Sequence, residues 1–234
     1  MAAGNPKQKL VDHLFSILNK NFTSQLPPQR EVIDEVVYGI LRENATSENA
    51  DAAFNQLITQ FIDWNEIRVS TVQELCDVLF MLSDVGPRAQ RIISLLQEWF
   101  SLTYSYDMQD ITSKGVKEGV RKIARLQAAN DYLQAWITQR SLGGHALPID
   151  ESTLRPLVRL EILDSETSIS QARTSMEHLI PKAKGIQFIE LLTDFSHQLC
   201  SDQPACQDCP MLADCPVGQQ NKKKTGESKR KKSK

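Results

Sequence analysis

The chain has 234 residues, of which 41% are hydrophobic and 24% charged, with ten glycines and ten prolines. These values describe a folded chain with room for one large or two small domains, and they exclude collagen-like, low-complexity and wholly disordered classes. The net charge of −2 is uneven: residues 222–234 hold eight of the 27 basic residues and one of the 29 acidic ones, so that segment carries +7 and the rest −9.

Apolar residues recur at three- and four-residue spacing through nearly the whole chain, which predicts an all-α fold of about ten helices. Leu10, Val11, Leu14, Phe15 and Leu18 form the first stripe, and Phe54, Leu57, Ile58, Phe61 and Ile62 another. Ser70 with Gln73, and Ser168 with Gln171, fit the capping box, in which a hydroxyl and an amide satisfy opposing backbone donors at a helix start. Cys76 shares an apolar face with Leu75, Leu79 and Phe80 and reads as core. Gly86-Pro87, Gly143-Gly144, Pro148 and Pro181 are expected to stop helices. No period-two alternation and no hairpin dipeptide between β-rich runs suggests a sheet. His145 and His197 have no partner at metal-ligand spacing and read as ordinary histidines.

The acidic body is a poor general partner for nucleic acid, so such binding must come from a local patch or from the basic end. Lys114, Lys117, Arg121, Lys122 and Arg125 line one helix face, and with Arg88 and Arg91 they could cradle a phosphate backbone. A solvated charged face is the equally weighted reading. Residues 218–234 have almost nothing apolar to bury and are expected to be a disordered basic tail. No apolar run approaches the roughly 20 residues that span a bilayer, and MAAGNPKQKL has no signal-peptide core. A cytoplasmic monomer without membrane contact is expected.

Four of the five cysteines follow the pattern Cys200-x5-Cys206-x2-Cys209-x5-Cys215. Without a secretion signal a metal site is a better reading than a disulfide framework. Four thiolates at this spacing suit either a tetrahedral zinc or an iron–sulfur cluster. The lone C-x2-C pair, beside loops leaving a helix, departs from the paired knuckles of zinc ribbons.

A helical chain ending in such a loop resembles the endonuclease III family, the helix-hairpin-helix DNA glycosylases with a 4Fe–4S loop. The resemblance covers roughly residues 30–217, and its cysteine spacing differs from the usual one by a single residue. Leu82-Ser83-Asp84-Val85-Gly86-Pro87-Arg88-Ala89 is similar to the family segment in which a glycine turn precedes a helix. Leu41-Arg42-Glu43-Asn44-Ala45-Thr46 resembles a stretch that faces DNA, with Asn44 at its glutamine position. Leu147-Pro148-Ile149-Asp150 looks like the segment that carries the essential aspartate at a helix start.

The resemblance implies a six-helix domain over 34–144 with a degenerate helix-hairpin-helix. It also implies a discontinuous cluster domain over 1–33 and 145–217, and a 4Fe–4S cluster on Cys200, Cys206, Cys209 and Cys215. It implies double-stranded DNA as partner, with a nucleotide flipped into a pocket. Asp150 would stabilise the sugar cation, although an aspartate in that place is also a good helix cap. Eighteen residues before Asp150, where bifunctional members carry the imine-forming lysine, stands Tyr132, which cannot form an imine. Lyase chemistry by that route is thereby excluded, and water is the expected nucleophile. Tyr132 reads equally as a core aromatic. Where the family has Gly-x-Gly, this chain has Ala128-Ala129-Asn130. Ala128 is expected to be strained at a positive φ, and phosphate docking reshaped. The implied DNA contacts are Asn44, Arg88, Lys122, Arg125, Ala128 and Asn130. A monofunctional base-excision glycosylase is the leading reading. A retired homologue that binds DNA or a protein without cleaving is the alternative.

Overall fold

The computed structural model describes residues 5–23 and 27–223, and every regular element among them is helical. The chain divides into two compact units, Pro27–Pro148 and the paired segments Met1–Leu26 and Ile149–Lys234.

The central unit is built around α2 (Val32–Arg42), in which nine of the eleven residues are buried. Such all-round burial requires neighbours on every side. Its partners are α3 (Ser47–Gln60), α6 (Val85–Thr103) and α9 (Asp131–Arg140). Gly39 lets α9 close in: a Cβ there would lie 2.7 Å from both Leu133 Cδ1 and Trp136 Cδ1. Two short helices, α4 (Trp64–Val69) and α5 (Val72–Val78), lie against α6. The segment is completed by α7 (Gln109–Ser113) and α8 (Val116–Ile123), so the described unit holds eight helices where six were expected.

In the other unit α1 (Pro6–Asn21) packs on α12 (Lys182–Gln198), with Phe15 edge-on to Phe188 at 5.7 Å. The same α12 supports α10 (Glu151–Arg159), which touches α11 (Ile169–Leu179). Past the cysteines, residues 216–223 are helical, with Pro216 in the first turn where its missing N–H costs nothing. Folded structure thus runs six residues into the segment expected to be disordered, and residues 224–234 lie outside the described residues.

Three local expectations are resolved. The box at Ser168 and Gln171 opens α11 as read. The box of α5 uses Thr71 and Glu74 instead of Ser70 and Gln73, because Ser70 already ends α4: its N–H and hydroxyl both donate to the Glu66 carbonyl. Gly86 and Pro87 sit inside the first turn of α6, where proline is tolerated, and stop nothing.

Candidate nucleic-acid interface and cysteine centre

The four loop cysteines line one small, mainly apolar cavity, shared with Leu160, Phe195, Leu199 and Met211. Each sulfur has a donor beside it. Arg159 Nη1 stands 3.4 Å from Cys200 Sγ, Asn221 Nδ2 3.5 Å from Cys206 Sγ, and the Gly218 N–H 3.3 Å from Cys215 Sγ. The Met211 backbone hydrogen-bonds Cys209. Arg159 also holds the Cys200 and Ser201 carbonyls at 3.1 and 2.7 Å, and so fastens the loop to α10. Burial pushes the Cys209 thiol up to about 11, helped by its three neighbouring sulfurs, and burial raises Cys200 as well. Two of the cysteines, Cys200 and Cys215, are buried and two half-buried, so ionising all four there would call for a nearby cation, and donors beside each sulfur are what thiolate ligands require. Among the described residues no three His, Cys, Asp or Glu side chains form a group that could hold a metal ion. The donor set fits a soft-metal cluster by its chemistry. Spacing found these cysteines, but nothing local marks Arg159, Asn221 or Met211.

Asp150 caps α10. Its Oδ1 accepts the Thr153 N–H at 2.9 Å, the Thr153 hydroxyl at 2.8 Å and the Ser152 hydroxyl at 2.7 Å, while Thr153 Oγ1 accepts the Asp150 N–H. The residue is 2% exposed. The cap half of its expected role is therefore realised.

In the central unit, the loop from α8 to α9 is remade instead of strained. Neither Ala128 nor Asn130 has a positive φ, which corrects the expectation for Ala128. Asn130 caps α9 through the Leu133 N–H, accepts from Arg91 Nη2 at 2.6 Å and donates to Glu43 Oε1 at 2.8 Å. Arg91 also donates to the Ala128 carbonyl at 2.8 Å and pairs with Glu43 Oε2. The loop is thereby tied to the end of α2, with Asn130 as a structural clamp. Tyr132 is 4% exposed and stacks on Trp136 at 6.1 Å, the core position allowed as its second reading.

Arg88, expected at the DNA, is engaged within the protein. Its guanidinium donates to the carbonyls of Ser83, Ile40, Leu41 and Glu43, and the residue is 7% exposed. It closes the C-terminus of α2, whose last carbonyls have no partner within the helix. Lys122 pairs with Asp110, and Arg121 with Glu118 at 2.7 Å. Arg125 stays exposed. Asn44 holds a positive φ of 53° beside Glu43, Asp84, Arg88 and Arg91, which with Pro87 line a pocket of about 180 Å³. Asp84, at a φ of 52°, is the second left-handed non-glycine in that pocket, and asparagine and aspartate are the side chains that tolerate this conformation best.

No protein-family model matches the sequence, and no curated protein matches it. Solved structures do. A non-covalent endonuclease III–DNA complex matches with a TM-score of 0.72 and 15% identity, covering 92% of this chain and 98% of that one. A thermostable thymine-DNA glycosylase gives 0.65 and 18%, covering 93% and 99%. An H. pylori 3-methyladenine DNA glycosylase bound to 1,N6-ethenoadenine gives 0.62 and 13%, covering 82% and 97%. No described helix is long and apolar enough to cross a membrane. The chain thus has the all-helical fold of the endonuclease III-like helix-hairpin-helix DNA glycosylases.

Proposed function

We propose that the chain is a monofunctional DNA glycosylase of base-excision repair with Asp150 as its catalytic carboxylate. The observation that carries this reading is the Asp150 cap. Three hydrogen bonds to Oδ1 fix the carboxylate at the start of α10 with almost no exposure, so its charge acts in a low-dielectric setting. There it would stabilise the cationic sugar of a flipped nucleotide while water completes hydrolysis. No amine stands at Tyr132, so no imine forms and the abasic site stays uncut. The candidate DNA contacts are Asn44, Arg88, Lys122, Arg125, Ala128 and Asn130, of which Arg125 is exposed and Asn44 lines the pocket at the end of α2.

Cys200, Cys206, Cys209 and Cys215 would hold a 4Fe–4S cluster. When bound, the cluster supplies the covalent framework of a loop with few apolar contacts of its own. Arg159, Asn221, and the Met211 and Gly218 N–H groups would orient the thiolates. Protein purified without oxygen should contain iron and sulfide in equal amounts and absorb visible light, and Cys209→Ala should lose both.

The test of function is single-turnover base release from a panel of damaged and mismatched duplexes, with alkali to reveal abasic sites. Release that vanishes in Asp150→Asn supports the glycosylase. No release from any duplex by cluster-loaded protein supports a homologue that binds without cleaving. That second reading is favoured by one observation: the loop amides that would meet a phosphate already have acceptors inside the protein.

A further inference from the structure

The accounting for the loop between α8 and α9 is complete from 124 to 129. The N–H groups of Ala124, Arg125, Leu126 and Ala129 donate to the carbonyls of Val120, Lys122, Ile123 and Leu126. Gln127 and Ala128 reach no carbonyl. Both aim at one oxygen, Oε2 of Glu98 on α6, at 2.7 and 3.5 Å. Two consecutive amides converging on one point form a concavity suited to an anion. The Gln127 amide is exposed and the Ala128 amide half-buried, so Glu98 takes a place that water or an external anion would otherwise occupy.

We propose that Glu98 is a built-in anion that occupies the phosphate-binding position of this loop and excludes external phosphate from it. Its placement follows from helix geometry. Ser94, Glu98 and Leu102 lie at four-residue spacing and Gln97 and Ser101 beside them, so one face of α6 borders the loop. Between them is an open groove of about 490 Å³, with Arg125 and Gln127 on the opposite wall. With Glu98 turned away, that groove would offer a phosphate two amides, a guanidinium and two hydroxyls. With Glu98 in place it presents a carboxylate, and the charge repels the same ligand. Arg91 makes the arrangement specific: it holds the Ala128 carbonyl at 2.8 Å, so the loop keeps its amides turned towards α6. Asp131, in the first turn of α9, adds a second negative charge next to the loop. The consequence rests on the DNA reading above: Glu98 lowers duplex affinity, and its removal restores it.

The experiment follows the Gln127 and Ala128 amide resonances of the full chain by nuclear magnetic resonance during titration with inorganic phosphate, alongside duplex binding. Wild type should show both resonances unmoved by phosphate. In Glu98→Ala both should shift saturably, and a short duplex should bind about tenfold tighter, as expected for hydrogen bonds from amides to a charged group. The slope of log affinity against log salt should steepen by about one phosphate contact. Glu98→Gln keeps the side-chain volume and guards against a folding defect in the alanine variant: it should respond to phosphate in the same direction. The inference is overturned if phosphate moves the two amides equally in wild type and variants, or in none of them. Titration by phosphate without any gain in duplex affinity would uphold the built-in anion and overturn the DNA reading instead.

Discussion

Glu35 accepts the indole N–H of Trp136 at 2.8 Å, joining α2 to α9 in the interior of the central unit. The carboxylate is 3% exposed and faces Arg140 at 3.4 Å and Arg30 at 3.9 Å. Burial outweighs the two cations and the indole and raises its pKa from the ordinary 4.5. The folded state therefore holds this proton more tightly than the unfolded chain. The associated stability is fully present below pH 4.5 and is lost as pH rises through the raised value. The difference in stability between wild type and Glu35→Gln should shrink or reverse over that window, because glutamine cannot ionise. Urea midpoints measured at intervals above pH 4.5 check this, and a difference that grows in favour of wild type would contradict it.

Gly39 is a position of close approach. A methyl group there meets Leu133 and Trp136 at 2.7 Å, inside van der Waals contact. Overpacking of this kind costs about 1–3 kcal/mol, against a gain of about 1 kcal/mol in helix propensity over glycine. Gly39→Ala should therefore destabilise by about 1 kcal/mol, and Gly39→Leu should prevent folding of the central unit. Chemical denaturation of the alanine variant settles the sign.

Arg88 tests the distinction between a phosphate contact and a helix cap. Lysine keeps the charge but cannot reach four carbonyls with a planar fork. Arg88→Lys should cost about 3 kcal/mol, from two or three buried carbonyls left without donors. The salt dependence of duplex binding by the folded fraction should be unchanged. A salt slope lower by about one, with stability intact, would return Arg88 to the DNA contacts.

The all-helical fold was legible because apolar periodicity survives any arrangement of the helices: Val11, Leu14 and Leu18 are fully buried, as their stripe demanded. The stripe ending at Ile62 was over-read, since Ile62 is 92% and Ile58 53% exposed. Periodicity marks a face, not how far its partner extends. The cap at Thr71 was missed by one residue because Ser70-x-x-Gln73 and Thr71-x-x-Glu74 overlap, and only the α4 carbonyl that takes Ser70 separates them. The four cysteines declared themselves by spacing, and Asp150 by its place after Pro148 and Ile149. Arg88, Asn130 and Glu98 were not legible in the same way. Each also meets partners distant in sequence, 39 residues away for Asn130 with Arg91. A charged residue on a helix face carries no local sign of whether it meets solvent, phosphate or a carbonyl.

The two roles of Asp150 can be separated because the cap needs only an acceptor, whereas cation stabilisation needs a charge. Asparagine caps helices about as well as aspartate, so Asp150→Asn should keep the Thr153 N–H bonded and alter stability by less than about 0.5 kcal/mol. Alanine removes the acceptor from the Ser152 and Thr153 hydroxyls and from the Thr153 N–H, and should cost about 1–2 kcal/mol. If the carboxylate is catalytic, base release is abolished equally in both variants although only one is destabilised. If Asp150 is a cap alone, any loss of release in either variant follows its loss of folded protein, and the asparagine variant behaves as wild type.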